Sequence, residues 1–85
     1  MSAVDRRRVA HAFGIVLKTA RMGAGLSQHG LARAAHIAVN YPGLMERGVL
    51  QPTLSTLIAV ADALGIQPTL LVTMTVGRLR REAQS

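Results

Sequence analysis

The sequence predicts an all-α domain of small packed helices, and three observations carry that expectation. First, 49% of the 85 residues are apolar, yet Phe13 and Tyr41 are the only aromatics. A core restricted to Leu, Val, Ile, Ala and Met suits small packed helices better than a sheet. Second, apolar residues recur at helical spacing in two long stretches. Third, good capping residues and stop glycines punctuate the chain at intervals that fit short helices. The length is that of one small domain with a limited core.

Helix 1 is expected to start near Asp5, an acceptable N-cap whose charge suits that end. Its apolar stripe is Val9, Phe13, Val16, Leu17, Ala20 and Ala24, and Gly23 and Gly25 stop it. Ser27 caps helix 2, with Gln28 in the first turn. Gly30 holds the position where a capping box has an acid, at a cost of about 1 kcal/mol relative to alanine in a helix interior, less near an end. Leu31, Ala32 and Ala35 form its buried side, and Ala32 is small enough for a second helix to cross closely. His36 falls where the chain must turn, and histidine tolerates the left-handed region better than most residues. Ile37 anchors the turn and Met45 anchors helix 3.

Pro42 governs helix 3. Inside a helix it would delete a hydrogen bond and clash with the carbonyl of Ala38, and it disfavours helical geometry at Tyr41. Helix 3 is therefore predicted to begin late, near Asn40–Pro42, with Asn40 as the better cap and a length of two turns at most. Gly48 takes the left-handed position that ends it. Pro52 and Thr53 open helix 4, whose face is Leu54, Leu57, Ile58, Ala61 and Leu64. Gly65 closes it, with Ile66 packing back. Over residues 68–76, Pro68 can sit in the first turn of a fifth helix, although the β-branched run TLLVTMTV also fits a short strand.

The order and spacing of several short matches give the chain a family likeness. They are Phe13-Gly14, Leu17, Arg21, Gly25-Leu26-Ser27-Gln28, Leu31-Ala32, Glu46-Arg47-Gly48, Pro52-Thr53-Leu54 and Ala63-Leu64-Gly65. Over about residues 13–72 the chain resembles the Cro and phage-repressor (XRE-like) type of helix-turn-helix domain. The resemblance implies a compact five-helix, lambda-repressor-like fold with the helix-turn-helix formed by helices 2 and 3. It also favours helix over strand for residues 68–76. The expected division is a basic N-terminal arm (1–8), the domain (9–76) and a basic C-terminal tail (77–85).

The resemblance further implies a sequence-specific DNA-binding transcriptional regulator, repressor or antitoxin-like, with helix 3 in the major groove. Arg21 and Glu46 match positions that pair as a structural salt bridge between helices 1 and 3. Gln28 matches a phosphate-contacting glutamine, at a helix N-terminus whose amides attract phosphate. The base-facing positions are Val39, Asn40 and Leu44, with Ala38, Tyr41, Gly43 and Arg47 nearby. Asn40 can hydrogen-bond adenine, whereas Val39 and Leu44 can touch thymine methyl groups. This reading surface departs from the family pattern, because Pro42 and Gly43 interrupt it and apolar residues stand where polar readers are usual. A second reading follows from that departure: a protein-interaction module on the same scaffold, with a protein partner in place of DNA.

One short helix supplies little contact for specific affinity, so a homodimer on a palindromic double-stranded site is expected. Leu70, Leu71, Val72, Met74 and Val76 are the expected dimer interface, being too apolar to stay exposed. The net charge of +6 fits a nucleic-acid partner. It is concentrated in Arg6, Arg7, Arg8 and in Arg78, Arg80, Arg81. Membrane-surface binding is disfavoured, since these residues lie at the ends and not along one helix face. Leu57 to Gly77 is interrupted by Asp62, Gly65 and Pro68 and is no transmembrane span. Without an evident leader, a cytoplasmic location is expected. The chain has no cysteine, and His11, His29 and His36 lack metal-ligand spacing, so neither metal nor cofactor is expected. The Ser and Thr residues read as caps and form no nucleophile–base pair, which argues against an enzyme.

Overall fold

A computed structural model describes residues 5–84. In chain order the helices are α1 (Arg6–Gly23), α2 (Gln28–Ala35), α3 (Tyr41–Glu46), α4 (Leu54–Leu64) and α5 (Pro68–Gln84). Among the described residues there is no strand. The core draws Phe13, Val16 and Leu17 from α1, Leu31 and Ala35 from α2, and Met45 from α3. Val60, Ala61 and Leu64 of α4 and Leu71 of α5 close it.

The helix starts follow local side-chain chemistry. The Asp5 carboxylate accepts from the backbone amides of Arg7 at 2.9 Å and Arg8 at 3.3 Å. Ser27 Oγ accepts from the Gly30 amide at 2.9 Å, and Thr53 Oγ1 from the Thr56 amide at 3.2 Å. Each satisfies a donor that the helix itself leaves open.

The four internal helix ends share one device. Gly25, His36, Gly48 and Gly65 all adopt positive φ. In each case the next amide reaches back to a carbonyl in the helix: Leu26 to Arg21, Ile37 to Ala32, Val49 to Leu44 and Ile66 to Ala61. These are Schellman closures. His36, at φ 57 and ψ 43, is the one non-glycine residue among them.

Helix α3 begins at Tyr41, as the position of Pro42 requires, and spans six residues. Asn40 does precede it, but its expected capping bond is absent. Its backbone sits at φ −88 and ψ −6 instead of the extended region of a side-chain cap. The Tyr41 amide bonds to the Ala38 carbonyl at 3.0 Å, so Val39 and Asn40 form a turn that leads into the helix. Pro42 lies in the first turn, where its missing N–H leaves nothing unsatisfied.

Helix α5 resolves the choice at residues 68–76 in favour of helix and continues to Gln84. Leu71, Met74, Thr75, Arg78, Leu79 and Glu82 form its buried or half-buried face at helical spacing. Thr75 fits this interior because its hydroxyl donates to the Leu71 carbonyl at 2.8 Å. The boundaries expected at 8 and 77 thus fall within helices, with Arg6, Arg7 and Arg8 in α1 and Arg78, Arg80 and Arg81 in α5. Residues 1–4 of the expected arm and Ser85 of the tail lie outside the described residues.

Three apolar assignments change. Ala24 is exposed at the α1 C-cap instead of extending the stripe. Leu54 and Ile58, expected on the inner face of α4, point outward, and Leu54 is 72% exposed. Val60 takes the inner position instead.

Candidate nucleic-acid interface

The chain places α2 and α3 on either side of the turn at His36–Asn40 and locks both to α1. A Cβ on Gly14 would lie 2.5 Å from the Met45 carbonyl oxygen and 2.6 Å from that of Glu46. Only glycine lets α1 approach the backbone of α3 this closely. Beside that crossing, Arg21 Nε donates to Glu46 Oε2 at 2.6 Å and Nη2 to Oε1 at 3.1 Å. Its Nη1 donates to the Leu26 carbonyl at 2.8 Å. The two side chains are only 11% and 4% exposed, so the expected bridge is buried, bidentate and worth far more than a surface pair. Hydrogen bonding to Glu46 raises the Arg21 pKa above its ordinary value, with burial opposing and the carboxylate charge adding. Being raised, that pKa leaves the guanidinium contribution intact at every pH below the arginine range.

Gln28 joins the same network. Its Nε2 donates to Glu46 Oε1 at 3.1 Å. The first residue of α2 is thereby tied to the last of α3. Gln28 and Arg47 also meet over Gly43: a Cβ there would lie 3.3 Å from Gln28 Oε1 and 3.5 Å from Arg47 Nη1.

The residues singled out from sequence sort into two groups. Gln28, Ala38, Val39, Asn40, Tyr41 and Arg47 are exposed, and Val39 is 53% exposed. Together they form one surface running from the α2 N-terminus across the turn to the end of α3. Gly43 does not belong to it, because it and Pro42 are buried. Leu44 is half-buried and presents only an edge. The surface is mixed in chemistry, with the Asn40 amide and apolar groups in the turn, and the Gln28 amide and Arg47 guanidinium close together over Gly43.

The expected dimer surface needs a larger correction. Leu71 is 0% exposed and belongs to the core, while Met74 packs against that core. Leu71 is thus closed to a partner, and Met74 shows only part of its surface, in a groove against α1. Leu70, Val72 and Val76 remain exposed, and Leu54 and Ile58 of α4 join them. Val72, Leu54, Leu57, Ile58 and Pro68 line an apolar groove of about 440 Å³. Sequence reasoning missed the α4 members. The available signal was that LSTLIAVADAL has apolar residues around most of its circumference, more than one core face can cover.

Among the described residues, no group of three or more His, Asp or Glu side chains could hold a metal ion. Among them, too, no single helix is long and apolar enough to cross a membrane.

A family model described as a helix-turn-helix domain matches residues 12–74. No curated protein sequence matches the chain. Among solved structures, the clp gene regulator ClgR from Corynebacterium glutamicum superposes with a TM-score of 0.83 at 25% identity, over 89% of this chain and 81% of that one. The restriction-modification controller protein C.AhdI from Aeromonas hydrophila gives a TM-score of 0.71 at 35% identity, over 73% and 94% of the two chains. A second controller protein, C.Esp1396I, solved as a tetramer with its natural operator, shares the fold with a TM-score of 0.74 at 20% identity over 84% and 93%.

Proposed function

The chain belongs to the helix-turn-helix domain family, and from that premise we propose that it is a DNA-binding transcriptional regulator that works as a dimer. The observation that carries the reading is the exposed surface from Gln28 to Arg47, held rigid from behind by the buried Arg21–Glu46 pair. Gln28 and Arg47 serve as phosphate contacts, and the Val39–Asn40 turn serves as the base reader. The similar proteins are gene regulators and controllers, one of them solved on operator DNA, which supports a regulatory role over a catalytic one. A cytoplasmic location accompanies that role.

Dimerisation is proposed through Leu54, Ile58, Leu70, Val72 and Val76. Leu54, Ile58 and Val72 line one apolar groove between two adjacent helices, and Leu70 and Val76 are exposed on α5. Selection of bound sites from a random DNA pool tests the function, with solution mass measured in parallel. A palindromic consensus bound by a dimer is expected; equal binding to all sequences, or none at low salt, defeats the reading.

The exposed Val39 favours one alternative, a protein-docking surface on the same scaffold. Val39→Asp separates the two, because it removes a thymine contact in one case and a partner in the other.

A further inference from the structure

We propose that Arg6 and Arg7 form a second phosphate-gripping edge beside the loop that follows α3, and that the arginines of α5 take no part in it. This rests on the DNA-binding reading above and goes beyond the helix-turn-helix itself.

The loop after α3 folds back onto the first turns of α1. Gly48, at φ +73, lies so close that a Cβ would stand 3.2 Å from His11 Cα. Further on, Gln51 Nε2 donates to the Arg6 carbonyl at 3.2 Å. Between these two ties lies a cleft of about 230 Å³ lined by Arg6, Arg7, Ala10, Gly48, Val49 and Gln51. Arg47, also exposed, immediately precedes Gly48. Arg6 and Arg7 therefore present two exposed guanidinium groups beside the loop that leads on from Arg47, whose own guanidinium lies next to Gln28 over Gly43.

Arg7 stands one helical turn before His11, a separation of about 6 Å along α1, so the α1 pair extends the basic edge beyond the crossing at Gly48. The α1 backbone amides are not the attracting groups, because the Asp5 carboxylate already accepts from those of Arg7 and Arg8. The side chains must carry the contact.

The remaining arginines are positioned differently. Arg8 shares a separate cleft with Asp5, Val76, Leu79 and Arg80, on the α5 side of α1. Arg78 donates to Glu82 at 3.0 Å, and with Arg81 it lines a groove against Ile15 and Thr19. The fold thus divides the N-terminal arginines: Arg8 meets Arg80 on the α5 side of α1, whereas Arg6 and Arg7 border the loop after α3.

The test is a salt titration of the full chain binding a labelled mixed-sequence duplex, read by fluorescence anisotropy. Arg6→Gln/Arg7→Gln is compared with Arg80→Gln/Arg81→Gln, which removes the same charge. Thermal melts confirm that both variants fold. Each phosphate contact contributes about 0.9 to the slope of log K against log salt, so the α1 pair should lower that slope by nearly two. The α5 pair should leave it close to that of the unaltered chain. Equal reductions by both pairs would overturn the proposal, since only total charge would then matter. An unchanged slope in the α1 variant, with the unaltered chain binding normally, refutes this edge alone. Failure of the unaltered chain to bind even at low salt refutes the DNA reading, and this proposal with it.

Discussion

Glu46→Gln is the most informative single perturbation, because it nearly preserves shape while removing the charge on which three helices converge. Glu46 accepts two bonds from Arg21 and one from Gln28. Removing one partner of a buried ion pair costs roughly 3–5 kcal/mol, chiefly because the other charge is stranded. Two features lower the figure here: glutamine keeps one oxygen acceptor, and Arg21 retains its bond to the Leu26 carbonyl. A loss of about 2–3 kcal/mol follows if one to two charge-assisted bonds are given up. For a domain of this size each kcal/mol shifts Tm by about 4–8 °C, so a fall of at least about 8 °C is expected in melts followed by far-ultraviolet circular dichroism. Arg21→Gln, with its own loss measured, completes a double-mutant cycle. The double variant should be clearly more stable than the sum of the single losses implies, since neither partner is then left charged. A loss below about 0.5 kcal/mol for Glu46→Gln would refute the reasoning, because that is the range of an exposed pair.

Three further outcomes are expected. Gly14→Ala should destabilise by at least the upper end of the roughly 1–3 kcal/mol typical of overpacking, because its Cβ would meet two backbone carbonyl oxygens and no flexible side chain; urea denaturation checks this. His36→Gly should stabilise by about 0.5–1 kcal/mol, relieving the left-handed backbone of the one internal helix end that lacks glycine, and a higher urea midpoint would show it. Val72→Asp should convert the proposed dimer to a folded monomer, read by sedimentation, since Val72 is exposed in the single chain. An unaltered dimer would remove the α4–α5 face from the assembly.

Legibility followed the range over which each signal acts. Ser27, Thr53 and Asp5 were readable as caps because a cap bonds two or three residues ahead. The positive-φ ends were readable from Gly25, Gly48 and Gly65, and even from His36, because backbone sterics at one residue decide them. Pro42 was readable for the same reason. Asn40 was misjudged as a side-chain cap because the turn to Ala38 holds its backbone in the helical region, a matter decided by its neighbours. Burial on α4 and α5 was the least legible property. Both helices have apolar residues on more than one face, so periodicity establishes helix without saying which face turns inward. That ambiguity made Leu71 an expected interface residue and Leu54 an expected core residue, whereas Leu71 is buried in the core and Leu54 is exposed.

The chemistry of the reading surface bears on how the proposed regulator would divide its binding energy. Asn40 is the one exposed amide in the turn before α3, and the neighbouring Ala38 and Val39 offer only apolar contact. A single good bidentate base contact is worth about 1–3 kcal/mol of discrimination, below the roughly 4–10 kcal/mol that separates specific from non-specific sites. Two copies on a palindrome double the base contacts while requiring a fixed distance between α3 helices. In the proposed dimer that distance would be set by the apolar α4–α5 face, while the Arg21–Glu46–Gln28 network ties each α3 to α1 and α2. Phosphate contacts from Gln28, Arg47 and the α1 arginines would supply affinity without sequence information. Discrimination would therefore reside in the spacing of two weak readers more than in either reader alone.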